Sequence, residues 1–229
     1  VRDYLIRLGL SNVEVWGRGV DLELFHPNRK SAEAVSELRS RFAPNGQKIV
    51  GFVGRLAAEK QVDRFSELFS VPNTTFVIVG DGPERANLEQ KFTGADVHFV
   101  GKQSGDELAN HYASFDAFVH FGTEETFGQT IQEAQAAGVP VIAPTAGGPK
   151  FLIDSGVSGY LVDPTTKNGF TPVLAELLGS EELLSRIGEG GRRKVLDKSW
   201  AANNAKLLEF YASAMEMTKQ PSLSELLVA

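Results

Sequence analysis

The chain has 229 residues, of which 42% are hydrophobic and 23% are charged, a composition typical of a globular protein that can bury a sizeable core. A formal net charge of -6 argues against a general nucleic-acid-binding protein, which would need a basic surface. The chain has no cysteine, and its four histidines lack the spacing of a helix-borne metal site, so we expect neither a disulfide framework nor a catalytic zinc.

The chain opens with "VRDYLIRLGL", part of an amphipathic helix that we assign, over residues 1–10, to the remnant of an interdomain segment. One domain is predicted over residues 11–217, followed by a tail over residues 218–229. No run approaches the roughly 18 apolar residues that a membrane-spanning helix needs, and no signal-peptide pattern is present. We therefore expect a cytoplasmic protein without a transmembrane segment.

Short apolar segments rich in β-branched residues recur from residue 47 onward and predict buried strands. These segments span residues 48–54, 74–80, 97–101, 116–121, 139–145 and 159–163. Helical patterns lie between them, over residues 60–70, 83–92, 104–115 and 126–138. Strict alternation of strand and helix indicates β-α-β units. The predicted fold is therefore a doubly wound α/β domain with a parallel sheet of about six strands. After residue 165 the chain becomes helical.

The segments that follow the predicted strands are the candidate binding site, because doubly wound sheets bind ligands beyond the carboxyl ends of their strands. Five of these segments contain glycine: "GRLAAEK", "GDGPE", "GKQSGDE", "GTEETFG" and "TAGGPK". Glycine suits the close approach of a ligand to the backbone, although it also ends strands and caps helices. Their common position at one edge of the sheet favours a binding site.

Two cations follow the first predicted strand: Arg55 directly, and Lys60 where the next helix should begin. Cations at an exposed helix start are unfavourable by about 0.3–1 kcal/mol each, and a bound anion reverses that sign. Arginine supplies a bidentate fork and lysine a point charge, so a diphosphate is the natural ligand. The alternative is a solvated surface pair balanced by Glu59.

Two carboxylates flank a predicted helix start near Phe127: Glu125 before it and Glu133 within it. Glu125 lies beside the unpaired backbone N–H groups of that helix start, a position that also suits a simple helix cap. Helical geometry places Thr130 on the side of Glu133 and puts Ile131 on the opposite, buried side. From its residue type alone, Glu133 is expected on a solvated helix face.

In order and spacing, these segments resemble the donor-binding half of the GT-B glycosyltransferases of family 4, from about residue 11 to about residue 215. The resemblance is carried by "GVDLELFHP", "GFVGRLAAEK", "VIVGDGP", "VHFVG", "EETFGQTIQEAQAAGVPVIAPTAGGP" and "GYLVDP". Glu125 and Glu133 match the family's two glutamates separated by seven residues. The resemblance implies a Rossmann-like domain that forms one half of a GT-B fold. It also implies transfer of a sugar from a nucleotide-diphosphate donor with retention of configuration, without a metal or other cofactor.

The resemblance also implies a role for individual residues. Arg55 and Lys60 would hold the diphosphate and stabilise the charge on the departing phosphate, and Glu125 would bind hydroxyls of the donor sugar. These three are the expected catalytic residues, and Glu133 is expected to bind the ribose hydroxyls. The backbone of Gly101, Lys102 and Gln103 is expected to frame the base, and Gly54 is a further expected donor contact. The amides of Phe127 and Gly128 are expected at the sugar, and Thr130 and Ile131 near the phosphates.

The segments "GRGVD", "ETFGQT" and "AGGP" are most similar to bacterial mannosyltransferases that build glycolipids, with sulfoquinovosyl-type enzymes as neighbours. We therefore favour GDP-mannose over a UDP-sugar, although Arg18, Lys150 and the Phe121-Gly122 step depart from the family pattern and leave the sugar open. The lipid or glycan acceptor would bind to an N-terminal half for which the chain has no room. We accordingly expect nucleotide binding without turnover, and exposed apolar surface on the last helix, around Trp200 to Met217.

Several alternatives stay open at this point. One is a glycosyltransferase that uses a UDP-sugar, and another is a GT-B epimerase or phosphorylase. A third is a non-catalytic nucleotide-binding module in which Arg55 and Lys60 are surface charges. A nucleic-acid partner is not expected, and the full enzyme is expected to associate peripherally with the inner face of a membrane.

Overall fold

The structure is a computed structural model that describes residues 2–218, so the predicted tail lies outside the described residues from position 219 on. The chain forms two compact units. The larger unit is Val20–Leu196, and the smaller unit comprises the described parts of Val1–Gly19 and Asp197–Ala229. Among the described residues, no helix has the length and apolar character needed to cross a membrane.

The larger unit is built on a parallel sheet of six strands in the order β3-β2-β1-β4-β5-β6. The strands are β1 (Lys48–Val53), β2 (Thr74–Val79), β3 (Val97–Gly101), β4 (Ala117–Val119), β5 (Val141–Pro144) and β6 (Tyr160–Val162). All but the first residue of β1 and of β2 are buried, as expected of parallel strands covered on both faces. The predicted doubly wound α/β fold is confirmed, with the last three strands each shorter than predicted by two or three residues.

Nine α-helices lie within the described residues, two of them in the smaller unit (α1 and α9). The helices are α1 (Arg2–Arg7), α2 (Glu33–Phe42), α3 (Arg85–Lys91), α4 (Gly105–Ser114), α5 (Gln129–Ala136), α6 (Pro149–Leu152), α7 (Phe170–Leu178), α8 (Glu181–Val195) and α9 (Trp200–Thr218). The hydroxyl of Ser180 accepts a hydrogen bond from the backbone N–H of Leu183 at 3.1 Å, so the predicted cap of α8 is confirmed.

The predicted α-helix over residues 60–70 is wrong. The segment forms two 3-10 turns, Ala58–Lys60 and Val62–Leu68, because Gln61 between them adopts the left-handed conformation with φ of 50°. Lys60 therefore ends a 3-10 turn and does not begin an α-helix, which removes the helix-dipole argument for a bound anion at that position. The helix expected to start near Phe127 begins instead at Gln129.

Two apolar clusters cover the two faces of the sheet. One contains Phe118, Tyr112 and Ile131, and the other contains Phe52 and Phe65, with all five side chains fully buried. Burying a large apolar side chain stabilises a fold by roughly 1.5–3 kcal/mol, so these clusters hold the strands in register beneath the site.

The guanidinium of Arg192, on α8, binds the carboxyl-terminal end of α5. It donates to the carbonyl oxygens of Ala136, Phe25 and Leu22 at 2.7, 3.0 and 3.2 Å. A cation is favourable at a helix carboxyl terminus because it complements the exposed carbonyl groups. These bonds fix the position of α5, and with it the position of Glu133.

Helix α9, in the smaller unit, carries large apolar side chains on its surface. Trp200, Leu208, Tyr211 and Met215 are 45%, 66%, 59% and 61% exposed. Within the same unit, the indole N–H of Trp16 donates to the carbonyl oxygen of Asn203 at 3.1 Å. The predicted exposed apolar surface on the last helix is confirmed.

Candidate active site

The predicted catalytic residues follow two neighbouring strands at the centre of the sheet. From β1 the chain proceeds outward to β2 and β3, whereas from β4 it proceeds in the opposite direction to β5 and β6. Ligands of doubly wound sheets bind at the carboxyl ends of the two strands where the order reverses, here β1 and β4. Arg55 and Lys60 follow β1 and Glu125 follows β4, so the structure brings them to the two sides of this point.

Main-chain hydrogen bonds join the loops at this edge of the sheet. The bonds are Gly54 N to Val79 O (3.0 Å), Leu56 N to Asp81 O (2.9 Å), Gly80 N to Gly101 O (2.8 Å) and Gly148 N to Glu125 O (2.6 Å). Gly80 has a φ of 138°, and a Cβ atom at this position would lie 1.9 Å from the carbonyl oxygen of Gly54. Only glycine permits that approach. The loops after β1, β2 and β3 are therefore joined to one another, and the loop after β5 is joined to the loop after β4.

A cavity of about 340 Å³ opens at this edge and gathers four of the predicted donor-binding residues. Its lining includes Gly54, Arg55, Lys102 and Gln103. Arg55 is exposed, and its guanidinium forms no ion pair with any other residue between positions 2 and 218. A cavity of this size and position, with a cation at its rim, suits a nucleoside phosphate.

A larger groove of about 430 Å³ lies between α2 and α4. It is lined by charged side chains such as Glu37, Arg41 and Glu107, and it shares only Gln103 with the predicted donor-binding residues. The groove flanks two helices and does not lie over the carboxyl ends of the central strands. The smaller cavity is therefore the better candidate for a ligand site.

An ion pair between Lys60 and Glu125 bridges the loops of β1 and β4. Lys60 Nζ lies 2.6 Å from Glu125 Oε2, and beside it Gln61 Nε2 donates to Thr123 Oγ1 at 3.1 Å. Burial alone would raise the pKa of Glu125, but the Lys60 hydrogen bond and a backbone N–H outweigh burial and hold that pKa below its ordinary value. Glu125 is therefore ionised at neutral pH.

Glu125 also binds the loop directly before α5. Its Oε1 accepts the backbone N–H groups of Phe127 and Gly128 at 3.3 and 3.1 Å. Both residues precede the first helical residue, Gln129, and no side-chain hydrogen bond caps α5 at Gly128, so the alternative interpretation of Glu125 as a helix cap is wrong. A carboxylate offers about four acceptor positions, and these two bonds with the Lys60 bond use three. Glu125 therefore orders the loop before α5 and keeps one acceptor position for a ligand.

Glu133 is half-buried rather than on a solvated helix face. Its Oε2 accepts the hydroxyl hydrogen of Tyr112, on α4, at 2.8 Å, and Tyr112 itself is fully buried. Burial raises the pKa of Glu133, and the Tyr112 hydrogen bond opposes that rise only in part. Burial, together with the charge of Glu133, also raises the pKa of Tyr112 well above its ordinary value. Tyr112 therefore orients a carboxylate that keeps free acceptor positions.

The two other predicted residues of α5 differ in what they offer. Thr130 is half-buried, and its carbonyl oxygen accepts from the Tyr112 hydroxyl at 3.3 Å. The side chain of Ile131 is fully buried in the core, and its backbone N–H donates to the carbonyl oxygen of Gly128 at 3.0 Å.

Sequence reasoning missed three residues at or behind the site. Tyr112 occupies an apolar helix position, and nothing in the sequence links it to Glu133. Asp81 lines the cavity, and its place in a glycine loop after a strand is a signal that could have identified it. His120 directly follows the apolar strand β4 and is buried, a position where a polar residue is unusual.

Comparison with known proteins agrees with this geometry. The family described as "Glycosyl transferases group 1" matches residues 36–194. The chain is 42% identical over 217 residues to a GDP-mannose-dependent alpha-mannosyltransferase of Corynebacterium glutamicum, with 94% of this chain and 51% of that protein covered. It is 43% identical over 208 residues to a GDP-mannose-dependent alpha-mannosyltransferase of Mycobacterium tuberculosis, with 90% and 53% covered. The chain spans about half the length of these curated relatives.

A similar structure is that of Anabaena Alr3699/HepE in complex with UDP and glucose. It superposes with a TM-score of 0.78 at 25% sequence identity, over 87% of this chain and 56% of that chain. The strand order, the matched family and these similarities agree, and the chain belongs to the group 1 glycosyltransferases, of whose GT-B fold it forms the donor-side domain.

Proposed function

We propose that this chain is the donor-binding domain of a retaining mannosyltransferase that uses GDP-mannose. The observation that carries the proposal is the ion pair between Lys60 and Glu125 across the carboxyl ends of β1 and β4. Arg55 lines a cavity at the same edge of the sheet, and Glu133 is held by Tyr112. Cations for a diphosphate and carboxylates for hydroxyl groups are the chemistry that a nucleotide-sugar requires.

The roles of the cations follow from the charge that builds during the reaction. When the bond between the sugar and the diphosphate breaks, negative charge accumulates on the departing phosphate. In this proposal Arg55, at the cavity rim, and Lys60, beside Glu125, stabilise the charged transition state more strongly than they stabilise the ground state. Loss of one such preorganised donor typically lowers kcat by about 100- to 1000-fold.

The carboxylates bind the two sugars of the donor. Glu125 uses its remaining acceptor position for hydroxyls of the transferred hexose, and Glu133 accepts from the ribose hydroxyls. The backbone from Gly101 to Gln103 frames the base, and Lys102 and Gln103 line the same cavity as Arg55.

The choice of GDP-mannose is supported by the names of the two mannosyltransferases of which this chain covers about half. A UDP-sugar is the second candidate, because the similar Anabaena structure holds UDP and glucose. The acceptor, a lipid or glycan, is proposed to bind to the half of the relatives that this chain does not span.

Titration calorimetry with GDP-mannose, UDP-glucose, GDP, UDP and ADP tests the proposal. We expect GDP-mannose and GDP to bind most tightly, and Arg55→Ala and Glu133→Ala to weaken both. Tighter binding of UDP-glucose would establish the second candidate. Binding of none of the five, or binding unchanged in both variants, would refute the proposal and favour a domain without a donor site.

A product assay separates transfer from other GT-B chemistry. We expect the chain alone to bind GDP-mannose without transferring mannose to lipid or glycan acceptors. Measurable mannose transfer by the chain alone would contradict the proposal that the acceptor binds to the half of the relatives that this chain does not span. An epimerised or phosphorolysed product from labelled donor would instead reveal an epimerase or a phosphorylase.

A further inference from the structure

Asp81 lies in the loop after β2 and lines the cavity of about 340 Å³ that also contains Arg55. Among the described residues that line this cavity, Asp81 is the one that is acidic. In the sheet, β2 and β3 lie beyond β1 on the side away from β4. The proposed donor has its diphosphate over β1 and β4 and its base at the loop after β3. Asp81 therefore lies on the base side of the diphosphate.

Two hydrogen bonds orient the carboxylate of Asp81. Its Oδ1 accepts the backbone N–H of Gly82 at 2.7 Å, and its Oδ2 accepts from Arg85 Nη1 at 3.3 Å. The main chain is fixed as well, because the carbonyl oxygen of Asp81 accepts the N–H of Leu56 at 2.9 Å. A carboxylate offers about four acceptor positions, two on each oxygen, so each oxygen of Asp81 keeps one. The side chain is 58% exposed, so a ligand can reach it.

Arg85 connects the Asp81 carboxylate to the loop after β3. Its Nε donates to Glu89 Oε1 at 2.8 Å, so the guanidinium is held between two carboxylates. A Cβ atom at Gly101 would lie 3.5 Å from Arg85 Nη1. Gly80, directly before Asp81, donates its backbone N–H to the carbonyl oxygen of Gly101 at 2.8 Å. The Asp81 carboxylate is thus held beside the main chain that the proposed function assigns to the base.

The bases of the two candidate donors differ in what they offer to a carboxylate. Guanine presents two neighbouring donors, its N1–H and one hydrogen of its 2-amino group, which match the two oxygens of a carboxylate as the fork of an arginine does. Uracil presents a single N–H, which lies between two carbonyl oxygens that a carboxylate repels. A carboxylate at the base therefore favours guanine over uracil.

We propose that Asp81 selects the base of the donor by accepting hydrogen bonds from N1 and the 2-amino group of guanine, and that Arg85 holds the carboxylate in position. This inference rests on the proposed function and gives its preference for GDP-mannose a physical origin. The charges that line the cavity then bind different parts of one ligand, with Arg55 at the diphosphate and Asp81 at the base.

Titration calorimetry on the whole chain with GDP, inosine diphosphate and UDP tests the inference. Inosine diphosphate keeps the N1–H of guanine and lacks the 2-amino group, so it removes one of the two proposed hydrogen bonds. Asp81→Asn keeps an oxygen that can accept the N–H of Gly82 and replaces the other oxygen by a donor. Glu84→Gln is the matched control, because it removes the same charge three positions away and Glu84 is not among the described residues that line this cavity. Thermal unfolding accompanies every titration.

The wild-type chain should bind inosine diphosphate about 5- to 30-fold more weakly than GDP. Asp81→Asn should bind GDP about 10- to 100-fold more weakly than the wild-type chain does. It should also bind GDP and inosine diphosphate with affinities within about threefold of each other. UDP affinity should stay within about threefold of the wild-type value, because uracil gains no hydrogen bond from this carboxylate. Glu84→Gln should bind all three nucleotides as the wild-type chain does.

The outcomes separate the inference from the proposed function. Equal affinity of the wild-type chain for GDP and inosine diphosphate, or unchanged GDP affinity in a folded Asp81→Asn, would overturn the inference and leave the proposed function intact. An equal loss for GDP and UDP in Asp81→Asn would overturn it too, because Asp81 would then act on the loop and not on the base. Tighter binding of UDP than of GDP by the wild-type chain, or binding of none of the three, would refute the proposed GDP-mannose donor and the inference with it.

Discussion

The ion pair between Lys60 and Glu125 predicts that removing the carboxylate tightens the binding of GDP. The ammonium of Lys60 is neutralised by Glu125 at 2.6 Å, so a diphosphate must compete with that carboxylate for the same cation. In Glu125→Gln the side-chain oxygen can still accept the backbone N–H groups of Phe127 and Gly128, directly before α5. The substitution therefore removes the competing charge and retains these two hydrogen bonds.

The structure sets the size of the effect. A hydrogen bond between charged groups is worth about 1.5–3 kcal/mol. The two side chains are 22% and 16% exposed, so solvent screens the pair in part and about 1–2 kcal/mol of competition is expected. GDP should therefore bind about 5- to 30-fold more tightly to Glu125→Gln than to the wild-type chain. GDP-mannose should change much less, because the variant also weakens a hydrogen bond to the sugar.

Calorimetry with GDP and GDP-mannose in the same buffer measures both affinities. Glu133→Gln is the matched control, since it removes the same charge at the ribose end and should weaken GDP. Equal or weaker GDP binding by Glu125→Gln, with its unfolding temperature within about 2 °C of wild type, would show that Glu125 does not compete with the diphosphate for Lys60.

Three further outcomes are expected. Arg55→Ala should weaken the binding of GDP and of GDP-mannose alike, by about 10- to 100-fold. Tm should not change, because Arg55 is exposed and belongs to none of the ion pairs within residues 2–218. A drop in Tm would show that Arg55 has a structural role. Glu133→Gln should raise Tm by about 2 °C at pH 7, because burial raises the pKa of Glu133 and disfavours its charged form. This gain should vanish in acid, where the wild-type carboxyl is protonated. A gain in Tm that persists in acid would contradict this cause. His120 has a folded pKa of about 4 against an unfolded value near 6.5, so its contribution to stability is present above the unfolded value and is lost as pH falls towards 4. In urea unfolding, the free energy of unfolding of His120→Phe should rise relative to that of the wild-type chain by up to about 3 kcal/mol between pH 7 and pH 4. The same pH dependence of this free energy in both proteins would exclude a buried neutral histidine.

The sheet could be predicted from the sequence because parallel strands covered on both faces are continuous apolar runs. The segment over residues 60–70 could not, since its apolar residues have helical spacing, yet the backbone of Gln61 is left-handed. Packing of Val62, Phe65 and Leu68 into the core stabilises the second of the two 3-10 turns, a tertiary effect that local periodicity does not report.

The sequence predicts candidate site residues but not the contacts between their side chains. Lys60 and Glu125 are 65 positions apart, and only the adjacency of β1 and β4 brings them together. Tyr112 reaches Glu133 from α4, across a distance of 21 positions, and no sequence pattern marks that pair. Resemblance to a family could suggest that each residue binds the donor, but not that two of them neutralise one another.

The main-chain bonds that join the loops have a consequence for how donor preference can change. Main-chain hydrogen bonds, such as the one between Gly80 and Gly101, hold the geometry of the cleft. Side chains at its rim can therefore be replaced without moving the backbone of these loops. Lys102 and Gln103 face the cavity from such positions. A few substitutions at the rim should therefore be enough to change which nucleotide-sugar binds. This edge of the sheet is a favourable starting point for engineering a transferase with a new donor.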